Sequence, residues 1–468
     1  VYRKLRFGVV SLIRLSFILV ISAATLGLVQ AQTGSTGGSS GDHLRAPENA
    51  QPAAPSGIRA NESQESEKVK GYTLTPEQRE KAIAHSRAGY RLYFIGLAYS
   101  LALFYFLMRL QWPVKFARWA EGKGQRRRFL QVVIFAPMFL ITLQVMTLPV
   151  DYYGEHLEKV FGLSVQSFGS WMLDWLKGLG IGLVIGTVLV WILFGVIRRS
   201  PRRWWFYFWL ATIPIVVFLL FLQPYVIEPL FFKFTPLKST QPELTDRLEQ
   251  VVDQAGLDIP ESRMFEMNAS TKLKTLNAYV SGIGSSKRVV VWDTTITKMT
   301  RDEIAFVFGH EAGHYVLNHI PKVITLMLLV VLVLFYVGYR LVNGAIPRWQ
   351  HWSGISGISE WGSLTILLFF LTILSFVASP IVNGISRHYE HQADIYGLEV
   401  THGIVAAPAQ NAARAFQILG EVDLADPSPS EFIKLWLYSH PPVADRVDFA
   451  LHYDPWDKGE SPEFVKGK

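Results

Sequence analysis

Two histidines four residues apart enclose a glutamate in His310-Glu311-Ala312-Gly313-His314. On an α-helix this spacing puts both imidazoles on one face, a turn apart, where one tetrahedral ion can take both. Glu311 follows the first imidazole and so sits beside such an ion rather than on it. From there its carboxylate can take a proton from a water that the ion polarises. The helix itself is predicted by TRDEIAFVFGHEAGHYVLNH, in which Thr300 and Glu303 form a capping box. The same five-residue pattern occurs in helices that bind nothing. Here it lies in a polar stretch, immediately before an apolar segment, and a further ligand is at hand. The chain has no cysteine, so that ligand must be a histidine or a carboxylate.

SRHYEHQADIYG supplies it. Glu390 and Asp394 are four apart and share a helix face. Glu390 is expected on the metal, and Asp394 is expected to accept a hydrogen bond from a ligand imidazole, fixing its tautomer and orientation. His388 and His391 are the weaker candidate ligands, since they lie on other faces of that helix. His319 falls about 140° round a continuous helix from His314; a polar contact or a helix-end charge is expected of it, not metal binding. Position 320 is Ile, which excludes the longer metzincin spacing.

The elements that must hold these residues are largely membrane helices. Of the 468 residues, 50% are hydrophobic and 18% charged, against about 25% charged in ordinary soluble domains. The apolar residues gather into six segments, 90–110, 129–150, 179–197, 204–222, 323–342 and 363–385. Each has about the 20 residues that cross roughly 30 Å of hydrocarbon. Tryptophans such as Trp112, Trp204, Trp349 and Trp361 stand near their ends, where indole favours the interface. The composition excludes a disordered chain and a purely soluble enzyme. The net charge of +7 does not indicate nucleic-acid binding, because the basic residues flank apolar segments and no recognition motif is present.

Residues 1–31 read as a signal peptide or a first membrane anchor, with Arg3, Lys4 and Arg6 leading an apolar stretch that ends near Ala31. Residues 32–70 read as a flexible linker rich in Gly, Ser, Pro and Ala. Four spans follow within 71–230, then a catalytic domain at 231–322, two further spans at 323–385, and a helical region at 386–468 that completes the metal site. Within the catalytic domain PELTDRLEQVVDQAGL predicts a helix ending at Gly256, and NAYVSG with RVVVWDTT predicts a hairpin. Lys115, Arg118, Lys123 and Arg126–Arg128 in one loop, and RRSPRR in another, predict cytoplasmic loops. The catalytic domain then falls on the extracytoplasmic side. Arg79, Lys81, Arg87 and Arg91 are a counter-signal on that side.

GHEAGHYVLNH, SRHYEHQAD and a late YSHPPVADR, in this order on a multi-span scaffold, resemble the type I CAAX prenyl endopeptidases, integral-membrane zinc peptidases of the gluzincin clan. The resemblance runs from about Tyr72 to Trp456. It implies one Zn2+ per chain held by His310, His314 and Glu390, with Glu311 as general base and Asp394 behind a ligand. It also implies that His440, in Ser439-His440-Pro441-Pro442, hydrogen-bonds the tetrahedral intermediate and that Arg446 assists nearby. Asn277, Ala278 and Tyr279 match the strand that binds the substrate peptide through its edge. The implied fold is mainly α and multi-pass: six to seven transmembrane helices around a chamber, with a zincin-like α+β catalytic domain. The implied partners are the lipid bilayer and a peptide or protein substrate, lipidated or membrane-associated. Val1 in place of Met suggests an alternative bacterial start codon; prenylated CAAX substrates are then not expected, and the expected location is a bacterial inner membrane. Two alternatives share parts of the pattern: a heat-shock-type membrane quality-control protease, disfavoured by the number of spans, and a non-catalytic receptor or transporter with a vestigial zinc domain, disfavoured by the intact Glu311.

Overall fold

The computed structural model describes residues 68–124, 127–282 and 286–465. The expected leader at 1–31 and almost all of the expected linker lie outside these. Val69, near the linker's end, exchanges main-chain hydrogen bonds with the Gln410 amide. Among the described residues six helices are long and apolar enough to cross a membrane, and each contains one of the six expected segments. They are α1 (Pro76–Arg109), α3 (Arg128–Val160), α4 (Phe168–Arg199), α5 (Trp204–Leu222, continued by tighter and wider turns to Leu230), α8 (His319–Ser353) and α9 (Leu364–Thr401). A shorter helix, α2 (Trp112–Gly124), links the first two spans.

Several of these helices outrun the bilayer. At 1.5 Å per residue the 38 residues of α9 span about 57 Å, against roughly 30 Å of hydrocarbon. The excess is polar at its C-terminal end, so one continuous rod carries Glu390 and Asp394 out of the membrane stack. Aromatic side chains fill the centre of that stack: Phe104, Phe135, Phe139, Phe194 and Trp361 are all fully buried in one cluster.

The polar body begins after α5. Strand β1 (Phe234–Pro236) leads to helix α6 (Pro242–Ala255), which ends where Gly256 takes φ +64°, a left-handed cap that glycine adopts without strain. Strands β2 (Met264–Met267), β3 (Ala278–Ser281) and β4 (Arg288–Trp292) complete a mixed sheet in the order β1-β2-β4-β3. β3 and β4 pair antiparallel, as the expected hairpin requires, while β2 and β4 run parallel. Helix α7 (Arg301–Val316) packs on this sheet, and the capping box at Thr300 and Glu303 is formed. Buried Glu303 also pairs with Arg414 of helix α10 (Pro408–Val422), which ties the start of α7 to the C-terminal region. Helices α11 (Glu431–Leu437) and α12 (Val443–His452) close the body.

The two ends of the molecule differ in charge. Arg198 at the end of α4 meets the Ser359 carbonyl, and Gly362 abuts Pro113, so the basic links around α2 and Arg199–Arg203 share one end. At the other end the turn after α3 joins the polar body, through a bridge between Ser164 and Leu273. The polar body and the two strongly basic loops therefore sit at opposite ends.

Candidate metal centre

Helices α7 and α9 cross closely, and glycine is what lets them. A Cβ on Gly397 would stand 3.0 Å from the His310 main-chain nitrogen, and one on Gly313 would stand 3.0 Å from Tyr396 Cβ. This contact, running antiparallel along both helices, places Glu390 of α9 over the imidazoles of α7. His310 Nε2 lies 3.3 Å from His314 Nε2 and 3.3 Å from Glu390 Oε2, and His314 Nε2 is 3.8 Å from Glu390 Oε1. Ligand atoms about 2.0–2.2 Å from a tetrahedral ion lie roughly 3.3–3.6 Å apart, so the three side chains fit one small cation. Among the described residues they are the one group of this kind.

Behind His310, Asp394 Oδ1 is 2.7 Å from Nδ1 and so receives its proton, which leaves Nε2 turned to the other ligand atoms. Asp394 in turn is gripped by Arg446, whose Nε donates to Oδ2 at 2.9 Å and whose Nη2 donates to Oδ1 at 2.5 Å. The guanidinium stacks on Phe416, 4.1 Å from the ring centre. Arg446 thus faces Asp394, and its nearest approach to the ligand set is 3.4 Å from Nη2 to His310 Nδ1. His440 comes in from the Pro-rich turn before α12, with Nε2 3.2 Å from Glu390 Oε2 and Nδ1 3.2 Å from Ser439 Oγ.

Burial opposes charge on Glu390 and Asp394, but the facing histidines and, for Asp394, Arg446 outweigh it and hold both carboxyls below their usual range. Burial raises the Glu311 carboxyl to about 7, with Glu390 adding to it and His310 and Arg446 opposing. Burial lowers His314 to about 4, which keeps it neutral, as a ligand must be. Burial also disfavours charge on His310, but hydrogen bonds to Asp394 and Glu390 outweigh it and raise that imidazole.

The strand expected to hold substrate is an edge strand. The Trp292 main-chain N–H donates to the Asn277 carbonyl at 3.0 Å, which sets the alternation: Tyr279 bonds β4, while Ala278 and Val280 turn their main-chain groups to the free edge. On that edge Tyr315 of α7 donates to the carbonyls of Val280 and Gly282, at 3.2 and 3.1 Å. The Tyr279 hydroxyl donates to Glu228 at the foot of α5, and Glu228 also pairs with Arg288 of β4.

The other histidines resolve plainly. His391 packs edge-on against Phe449, His388 lies tilted against Tyr389, and neither joins the ligand group. His319 is fully buried, with Nδ1 3.2 Å from His314 Nδ1 and Nε2 3.1 Å from Gln392 Oε1. The sequence signals His319 as the third histidine of GHEAGHYVLNH, but the expected 140° offset assumed one unbroken helix. Asn318 takes φ +56° and ends α7, so His319 starts a new helix and swings back onto His314. Gln392, Tyr315, Glu228 and Arg288 carry no sequence pattern that would single them out.

Comparison with known proteins agrees with this geometry. A family model for peptidase family M48 matches residues 238–454, and one described as CAAX prenyl protease N-terminal, five membrane helices, matches residues 59–233. YhfN of Bacillus subtilis, described as an uncharacterized metalloprotease, is 34% identical over 390 residues, covering 82% of this chain and 89% of the relative. A CAAX prenyl protease 1 homolog of Dictyostelium discoideum is 28% identical over 282 residues, covering 58% of this chain and 64% of the relative. Among solved structures, the crystal structure of S. mikatae Ste24p matches with a TM-score of 0.70 and 25% identity, over 81% of this chain and 90% of that one. With its metal-ligand group on α7 and α9 and its membrane helices before and after, the chain is a multi-pass membrane metalloprotease belonging to peptidase family M48.

Proposed function

We propose that the chain is an integral-membrane zinc endopeptidase that cuts extended segments of lipidated or membrane-associated polypeptides, with Zn2+ held by His310, His314 and Glu390. The convergence of these three side chains, each offering one ligand atom within 4.8 Å of the other two, with Glu311 beside them, is the observation that carries this reading. When bound, zinc polarises a water and the scissile carbonyl, as a Lewis acid.

The residues of the chain do the rest. Glu311, kept basic by burial, accepts the proton of the attacking water and passes it to the leaving amine. His440 donates a hydrogen bond to the carbonyl oxygen as charge builds there, a contribution of a few kcal/mol. Arg446 assists indirectly, by holding Asp394, which holds His310. Asn277, Ala278 and Tyr279 form the strand along which the substrate lies. Its main chain adds beside Ala278, so that binding depends on an extended backbone more than on side-chain identity. The relatives named CAAX prenyl proteases support a lipid-linked peptide, and the loop charges support an active site outside the cytoplasm of a bacterial cell.

The test is zinc content combined with peptide cleavage in wild type and Glu311→Gln, both purified in detergent. One zinc per chain is expected in both proteins, and cleavage in wild type alone. Cleavage that survives in Glu311→Gln overturns the mechanism, and a wild type without zinc overturns the metal assignment.

A further inference from the structure

The three ligands of the proposed zinc centre are not equally explained by what surrounds them. His310 is oriented by Asp394, but among the described residues no carboxylate stands behind His314. Its Nδ1 meets another imidazole, His319 Nδ1, at 3.2 Å. The far nitrogen of His319, Nε2, is 3.1 Å from the side-chain oxygen of Gln392. His319 is held in that position by burial, by the Tyr389 ring 4.7 Å away, and by the left-handed break at Asn318. The Lys322 ammonium closes the break from the other side, donating to the Leu317 carbonyl at 2.8 Å.

We propose that His319 and Gln392 form a directed hydrogen-bond relay that fixes the tautomer and ring plane of His314, so that both are positioning residues for the metal. The proposal rests on the zinc reading above. Proton directions follow from the atoms involved. His314 turns Nε2 to the other ligand atoms, so its single proton sits on Nδ1. That proton must be donated to His319 Nδ1, which therefore carries none. The His319 proton is then on Nε2 and is donated to Gln392 Oε1. Each member admits one arrangement, and the chain ends on an amide oxygen that cannot reverse it. Gln392 lies two residues after Glu390 on the same helix. The relay therefore runs from a ligand on α7, through the first residue of α8, to the helix that carries the third ligand. It braces the two ligand helices against each other at the metal, by a neutral route where His310 has a charged one.

The experiment measures zinc affinity of the full chain in detergent by competition with a chromophoric chelator. The thermal midpoint of the zinc-free protein and the visible spectrum of the cobalt-loaded protein are recorded beside it. His319→Leu keeps bulk and loses the relay; its zinc affinity is expected to fall about 10–100-fold, the range seen when groups that orient a ligand are removed. His319→Gln can accept from His314 and donate to Gln392, and is expected to recover most of that loss. The cobalt spectrum should change in the leucine variant and return in the glutamine one. Gln392→Leu should lose less than His319→Leu, and the double variant should lose no more than His319→Leu alone, because both remove one relay. Unchanged zinc affinity in His319→Leu, or a His319→Gln no better than His319→Leu, overturns the relay and leaves the zinc reading standing. Should His319→Leu fail to fold, Gln392→Leu decides the matter, and wild-type affinity in it overturns the relay. A wild type that takes up no zinc overturns the zinc reading itself.

Discussion

The Asp394 side chain shows how much of the proposed zinc site depends on groups that would not touch the metal. It is almost fully buried, and two demands meet on it: a proton from His310 at 2.7 Å and a two-pronged grip from Arg446. The carboxylate satisfies both because it has acceptors for both and a charge for the guanidinium. An amide of the same shape has one acceptor fewer and no charge, so Asp394→Asn leaves Arg446 buried without its counter-ion and loosens His310. Removing Glu390 is a larger injury, since it takes away a ligand atom and the negative charge the cation balances. Zinc affinity, read by chelator competition, is therefore expected to fall in the order wild type, Asp394→Asn, Glu390→Ala. The Asp394→Asn loss should be about 10–100-fold. Glu390→Ala holding zinc as tightly as wild type would mean that the third ligand is another residue.

Between elements, the distance from α7 to α9 sets the size of the proposed metal site, and glycine sets that distance. A methyl group at Gly397 meets main-chain atoms of His310, at 3.0 and 3.2 Å, and backbone cannot yield as a side chain would. The helices must part by some tenths of an ångström, comparable with the roughly 0.2 Å tolerance of a ligand bond. Gly397→Ala is therefore expected to fold, with a zinc affinity lower by about tenfold or more. Gly338→Ala, where the nearest atom is 3.8 Å away on the Leu374 side chain, is the control and should bind as wild type does. Equal affinities in the two variants would show that this crossing does not govern the metal. The crossing also marks where the sequence stops being legible. Local signals are legible in the sequence: the Thr300 cap, the Gly256 stop, the β3–β4 hairpin and the six apolar segments all depend on neighbours along the chain. The pairing of Glu390 with His310 and His314 was legible because helical spacing and family resemblance pointed the same way. β1 and β2 were not, since three- and four-residue strands such as MFEM show too little alternation and owe their existence to distant partners. Nor was the His319 contact, which turns on a single residue, Asn318, leaving helical geometry.

For the whole molecule, the decisive property is the side of the membrane on which the polar body lies, because that selects the polypeptides it can meet. Two features of the fold bear on it. The links around α2 and at Arg199–Arg203 are densely basic and share one end, while the catalytic body occupies the other. Short loops rich in Lys and Arg stay in the cytoplasm, and on that rule the proposed zinc site would lie outside it. The opposing signal, Arg79, Lys81, Arg87 and Arg91, lies along the first turns of α1. That stretch packs on the polar body: Thr73 is bonded to Gln417, and Tyr90 to Asp426 and Tyr438. These cations are thus part of the folded body and do not form a free loop beside the membrane, so the two basic links at the other end should prevail. The absence of cysteine makes the question directly measurable, since one introduced thiol is the only one present. Lys123→Cys places it on the exposed basic link, and Asp253→Cys on the exposed face of α6 in the polar body. In spheroplasts a membrane-impermeant maleimide is expected to label Asp253→Cys and to reach Lys123→Cys only after the membrane is opened. The reverse pattern would put the active site in the cytoplasm, where it would meet nascent and lipid-modified cytosolic chains instead of exported ones, and it would show that the α1 cations dominate insertion. Peptide cleavage by intact spheroplasts supplies an independent reading of the same property: a substrate added outside should be cut by wild type and spared by Glu311→Gln.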